Sequence, residues 1–304
     1  MRPVVVYIHG NGNKARKEAL KQEWDRALFG QDMGEASRMA YFAHLRYPTP
    51  LADPEFDEVE LLPASYLESA GPMAVDPARL VAETLAEASA ADGAAPGPEA
   101  EAAGADRLQR WLQEMAYVAD AVVEGEDRAG PEVGPETLPL PRAARVAAFR
   151  ALVKVTFKDV YAYFFGGFKD RMRATLREAL AGTPGPVIVV AHSLGTIIAY
   201  DVLREPAQAN LDCPLFVTVG SPLGVTEVQD VVERELQVPS GVTAWRNVAD
   251  GRDLVALDRT IRPEYDPAHR CTDFLVVNDS PNHHGIREYL ASRPVQESVR
   301  MLLA

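Results

Sequence analysis

The chain has 304 residues, 44 of them Asp or Glu and 31 Lys or Arg, so its formal net charge is −13. That balance argues against a nucleic-acid binder, because phosphate contact needs a surplus of cations on the surface. With 47% hydrophobic and 25% charged residues the composition is ordinary for a globular protein, and the length fits one large domain or a domain carrying an insertion. The first predicted element is a strand, the continuous apolar run Val4-Val5-Val6-Tyr7-Ile8, ended by His9-Gly10-Asn11-Gly12-Asn13. It is too short for a signal-peptide core, and no run nears the ~18 to 20 apolar residues of a membrane span. No transmembrane segment is expected, and a cytoplasmic protein is. A helical stretch follows from about Ala15 to Phe29, and Met39 to Leu45 reads as a second strand.

Residues 51–140 hold 20 acidic and four basic residues, a charge of −16, which leaves +3 for the remainder. The stretch from Ala86 to Asp106 is about half alanine and has no aromatic or large aliphatic side chain to bury, so Gly93 to Gly104 reads as a mobile loop. Around it, Pro77 to Leu85 and Leu108 to Val123 have helical spacing, the second with Trp111, Met115, Val118 and Val122 on one stripe. The segment is expected to be an acidic cap or lid of one or two helices inserted into a core made of residues 1–50 and 141–304.

A long helical region, Ala143 to Leu180, comes next, interrupted by Gly166-Gly167. Its aromatic stretch, Phe157 to Phe168, reads first as a helix covering the sheet and second as an acyl-binding or lipid-facing wall. Residues 141–182 carry nine bases and three acids, which reads as a solvated helix face or, alternatively, a patch for an anionic head group or the acidic insertion. Val187 to Val190 is a buried strand and Leu194 to Arg204 a helix. Leu215 to Val219, Val242 to Val248 and Phe274 to Val277 are further short strands, separated by helical segments. Apolar strands without polar alternation, each followed by a helix, predict an α/β fold with a mostly parallel sheet covered on both faces. Chemistry in such sheets sits beyond the carboxyl ends of the strands. The two cysteines, Cys213 and Cys271, form neither a CxxC pair nor a disulfide framework and are expected to be buried thiols.

At the end of the strand Val187 to Val190 stands Ala191-His192-Ser193-Leu194-Gly195. This is the small-x-Ser-x-Gly pattern in its required setting, between a strand and a helix. A strand that turns at once into a helix leaves little room around the serine, and the turn lifts the hydroxyl out of the sheet. On these residues the chain resembles the α/β-hydrolase superfamily, and more closely its bacterial lipase and esterase-like members. The resemblance covers everything but about residues 50–140. It implies an α/β-hydrolase fold with a catalytic triad in the chain order Ser, acid, His.

Acyl transfer needs two or so N–H donors aimed at the developing oxyanion. One is the backbone N–H of Leu194, at the start of its helix. His9-Gly10-Asn11 resembles the family's His-Gly-x motif, which points to the backbone N–H of Asn11 as the second, with His9 orienting the loop. For the acid, Asp253-Leu254-Val255-Ala256 has the family's form and is favoured; Asp250, followed by Gly251, looks like a turn residue and is the alternative. For the base, His284 fits the family register His-x-Ile-x-x-Tyr-Leu with Ile286, Tyr289 and Leu290, and His283 is the alternative. His269 reads as a solvated loop residue. There is no His-Glu-x-x-His and no cysteine cluster, so neither a metal nor a cofactor is expected. The expected activity is hydrolysis of a small-molecule or lipid carboxylic ester through an acyl-enzyme, with Ser193, Asp253 and His284 as triad. Phospholipase or thioesterase activity lies within the same chemistry, and peripheral contact with a membrane is compatible with it. The rival reading is a non-catalytic binding protein that keeps the fold.

Overall fold

The computed structural model describes residues 2–53, 158–183, 185–232, 235–253, 255–256, 258–280 and 283–303. The cap expected over residues 51–140 lies outside the described residues except at its first three positions, as do the helices predicted within it and the start of the long helical region.

Six strands form one all-parallel sheet in the order β2-β1-β3-β4-β5-β6. They are β1 (Val4–Ile8), β2 (Ser37–Ala40), β3 (Val187–His192), β4 (Cys213–Val219), β5 (Val242–Asp250) and β6 (Cys271–Val276). Both side-chain sets of β1 and of the 187–191 part of β3 are apolar, as a sheet covered on two faces requires. Val6, Ile8, Val187, Val189 and Ala191 face one core, and Val5, Tyr7, Ile188 and Val190 face the other.

The first core is covered by α2 (Lys158–Phe164), α3 (Lys169–Ala181) and α4 (Leu194–Leu203). The second is covered by α1 (Lys17–Phe29), α6 (Ile286–Ala291) and α7 (Arg293–Leu303). Right-handed crossovers explain the division. The chain steps from β1 to β2 in one direction and from β3 to β4, β5 and β6 in the other, so α1 and α4 fall on opposite faces. The reversal lies between β1 and β3, and in such sheets ligands bind at that place, beyond the carboxyl ends of the strands.

Several expectations are corrected. Beyond Ala40 the second strand gives way to a 3-10 turn, Ala43–Leu45, because the N–H groups of Phe42 and Ala43 donate to His9 Nε2 rather than to a neighbouring strand. Among the described residues the α-helix of the β4–β5 connection is the four-residue α5 (Thr226–Gln229), and the β5–β6 connection has no α-helix. There the chain is held instead by Asp273, whose carboxylate accepts from the N–H groups of Ile261 and Arg262, and by the buried Tyr265 and Ile261. β6 is an edge strand, so Leu275 is 68% exposed instead of buried. α7 is a helix the sequence reading did not separate; Val295 and Val299, one turn apart, are its buried face. The Gly166-Gly167 break is present, with Gly167 at φ 76, a left-handed conformation that suits glycine. The aromatic side chains Tyr161, Phe164, Phe165 and Phe168 pack against the first core, in line with the covering-helix reading. Both cysteines are buried free thiols, and burial pushes that of Cys213 up to about 12. Among the described residues no helix is long and apolar enough to cross a membrane.

Candidate active site

Ser193 is the single residue between β3 and α4, and its backbone is at φ 53, ψ −127. That is the conformation of the first central residue of a type II′ turn, where glycine is usual. A serine held there is strained, and strain of this kind collects at functional sites. The surroundings over-determine it: Ser193 N–H donates to the Val219 carbonyl (3.2 Å), and the Ser193 carbonyl accepts from Thr196 N–H (2.9 Å) and its hydroxyl (2.7 Å). Ser221 Oγ in turn donates to Thr196 Oγ1 (2.8 Å). The glycines have specific tasks. A Cβ at Gly10 would lie 2.7 Å from Ser193 Cβ, and one at Gly195 would strike the Ile8 carbonyl oxygen at 2.6 Å and that of His9. Gly195 is thus required because α4 leaves the sheet against the backbone at the end of β1, a reason of helix-to-strand packing and not only of room around the serine.

Asp253 and His284 are brought together. His284 Nδ1 lies 2.7 Å from Asp253 Oδ2, which also accepts from the Tyr289 hydroxyl (2.6 Å). Asp253 Oδ1 accepts from the N–H groups of Val255 (2.9 Å) and Ala256 (3.3 Å), so both oxygens of this buried carboxylate are engaged. Burial, and then Asp253, raises the pKa of the Tyr289 phenol, which keeps its proton for that bond. Asp250 faces elsewhere: its carboxylate accepts from Arg252 N–H (2.6 Å) and Asn278 N–H (2.5 Å) and ties the end of β5 to the loop after β6. His283 is a left-handed turn residue at φ 55 whose Nδ1 lies 2.8 Å from the Asn278 carbonyl. Of the two competing pairs, the geometry joins Asp253 with His284.

The imidazole of His284 and the serine bear on one turn. Ser193 is bonded to Val219, and the next residue, Gly220 at φ 53, faces the ring; a Cβ there would meet His284 Cε1 at 2.7 Å and Asp253 Oδ2 at 3.0 Å. His192 braces the His284 imidazole from the other side. Its ring centroid is 4.5 Å from that of His284, and its Nε2 is 3.0 Å from the His284 carbonyl oxygen. Burial, and then His284, lowers the His192 pKa well below its ordinary value, so it stays neutral and donates through Nε2.

His9 is completely buried and stacked on Phe42 (3.9 Å between centroids). Its Nε2 accepts from Phe42 N–H (3.0 Å) while its Nδ1, 2.8 Å from the Gly10 carbonyl, carries the proton. Burial, helped by Lys14, lowers its pKa to about 3. It orients the loop, as the sequence predicts. Neither Asn11 N–H nor Leu194 N–H donates to an acceptor among the described residues, and Gly10, against Ser193, places the loop beside the start of α4. His269 is exposed. Among the described residues no group of three or more His, Cys, Asp or Glu side chains is arranged to hold a metal ion.

Three contributors escaped the sequence reading. Tyr289 served there only as a register mark, although its position five residues after His284 was the signal. His192, next to the serine in the chain, acts on the backbone of His284. Asp159, which fastens the Asn11 loop, carries no local signal at all. None of the protein-family models, curated proteins or solved structures compared with this chain matches it.

Proposed function

We propose that the protein is a serine hydrolase of the α/β-hydrolase type that cleaves carboxylic esters. The observation that carries this reading is a serine at φ 53 in a strand-to-helix turn, beside a buried Asp253–His284 pair. Ser193 Oγ attacks the ester carbonyl while His284 Nε2 takes its proton, and the N–H groups of Asn11 and Leu194 stabilise the oxyanion. His284 then protonates the leaving alcohol, and water releases the acyl group by the same steps in reverse order of roles. Asp253 holds the imidazole with its Nδ1 protonated and balances the imidazolium. A neutral His192 matters here, since a second cation 4.5 Å away would oppose that charge. On sequence grounds alone, the reading carries an acidic cap over residues 51–140, a cytoplasmic setting, and small-molecule or lipid esters as substrates.

The test is hydrolysis of p-nitrophenyl esters from short to long acyl chain, together with fluorophosphonate labelling. Wild type is expected to hydrolyse the esters and to be labelled at Ser193, and Ser193→Ala to lose about 10³-fold or more in kcat. Activity that persists in Ser193→Ala overturns the mechanism, and a wild type that is neither active nor labelled returns the chain to the non-catalytic reading.

A further inference from the structure

The loop that carries Asn11 leaves β1, yet it is fastened by a residue 147 positions further along the chain. Asp159, in the first turn of α2, is 1% exposed; it accepts from Gly12 N–H (Oδ2, 2.7 Å) and from the Tyr47 hydroxyl (Oδ1, 3.1 Å), and Oδ1 is ion-paired with Arg46 Nε at 3.2 Å. Its own backbone N–H, one of the donors that a helix start leaves without an intrahelical acceptor, donates to Asn11 Oδ1 (3.3 Å). A carboxylate withdrawn from water this far is tolerated only when hydrogen bonds and a cation replace its hydration. The cation and one donor come from residues 46 and 47, and the other donor is the peptide next to the candidate oxyanion donor. Otherwise the described hydrogen bonds of this peptide are with Lys14, whose Nζ donates to the Asn11 carbonyl (2.5 Å).

We infer that Asp159 is a positioning residue for the oxyanion hole. The reciprocal bonds, Gly12 N–H to the Asp159 carboxylate and Asp159 N–H to the Asn11 side-chain oxygen, hold residue 11 by its side chain and by the peptide that follows it, which restricts the direction of its own N–H in the peptide before. Asn11 thus has two tasks: its backbone faces the reacting oxygen and its side chain accepts from α2. The hole is complete only while α2 is docked on the loop. An oxyanion donor acts through its pre-set position, and a displacement near 1 Å is enough to lose about 10²-fold in rate. The inference rests on the serine-hydrolase reading above.

Steady-state hydrolysis of p-nitrophenyl acetate by full-length wild type, Asp159→Ala, Asn11→Ala and the double variant tests it. Asp159→Ala is expected to lower kcat about 10- to 100-fold with KM changed less than about threefold. Asn11→Ala keeps the backbone N–H and is expected to give a similar fall. The double variant is expected to fall little further, because both changes break one unit. A purely structural role would lower the unfolding midpoint and leave kcat per folded molecule unchanged, so kcat of Asp159→Ala within about twofold of wild type overturns the inference. If Asp159→Ala does not fold, Asn11→Ala decides by the same threshold. A wild type inert to the ester and to fluorophosphonate overturns the hydrolase reading and this inference with it, whereas an active wild type beside unchanged variants overturns the inference alone.

Discussion

Strain at Ser193 is of the order of 1–3 kcal/mol, and the bonds to Val219 and Thr196 together hold it in place. The same economy of space governs the acid and base. Gly220 leaves room for the His284 ring, and Tyr289 bridges the two aspartates that sequence reading set against each other, donating to Asp253 Oδ2 and accepting from Asp250 N–H (3.0 Å). Tyr289→Phe removes only that hydroxyl. It is expected to lower stability by about 1–2 kcal/mol in urea titration, since a buried carboxylate oxygen and an N–H lose a partner. On p-nitrophenyl acetate it is expected to lower kcat several-fold with KM unchanged, because Asp253 then orients His284 less firmly. Unchanged kcat would show that the N–H groups of Val255 and Ala256 suffice to hold Asp253. At this scale the serine was legible because its signal is local: a buried strand, a small residue two places before and a glycine two places after. The acid and the base were legible as pairs of candidates only. Asp250 and Asp253 differ in what they meet across the β6 loop, and His283 and His284 differ by a left-handed φ.

Elements carry charge in a way the composition hides. The described part of the basic stretch, residues 158–182, is not simply a solvated face. Arg173 pairs with the buried Asp201 and donates through Nε to the Tyr163 hydroxyl (3.1 Å), while Arg177 holds Glu205 through both nitrogens (2.7 and 2.6 Å). These bonds lock α3 to α4, the helix that begins at Ser193. Asp201 also meets Lys169 Nζ at 3.2 Å, but Lys169 is 33% exposed and Arg173 13%. Arg173→Ala should therefore cost about 3 kcal/mol, because it strands a buried carboxylate, and Lys169→Ala less than about 1 kcal/mol. Urea unfolding of the two variants side by side measures the contrast, and equal losses would show that the cluster is shared rather than centred on Arg173. The sequence revealed the bases of this stretch but not their partners, which stand on the next helix (Asp201) or just past its end (Glu205, 28 residues from Arg177).

For the whole molecule, two buried histidines set the response to acid. His9 has its pKa lowered to about 3 and His192 well below its ordinary value, both chiefly by burial. In the unfolded chain each takes up a proton near pH 6.5. Between that value and the lowered one the unfolded state binds more protons, so stability is complete above about pH 6.5 and is lost as pH falls. The slope is up to about 1.4 kcal/mol per pH unit for each histidine. Urea midpoints at pH 7.5, 6.0 and 5.0 are expected to fall steadily at constant m-value, and a flat profile would mean that both rings accept a proton in the folded state.

The sequence by itself determined the α/β alternation, the strand cores and the turn at Ser193. Each of these depends on residues within a few positions of one another: β-branched runs, small residues beside a serine, and glycines after a strand. It also located the Gly166-Gly167 break, since a left-handed glycine needs no partner. Only the tertiary structure decided which aspartate meets which imidazole, that His192 braces His284, that α7 closes the second core, and that Asp159 clasps the Asn11 loop. These depend on contacts between residues from 31 to 272 positions apart, for Asp253 with His284 and Leu28 with Arg300 at the two ends. Such contacts follow from the strand order and from the hand of the crossovers. A hydrophobic pattern records which faces are buried, but not which polar side chains those faces bring to one end of the sheet.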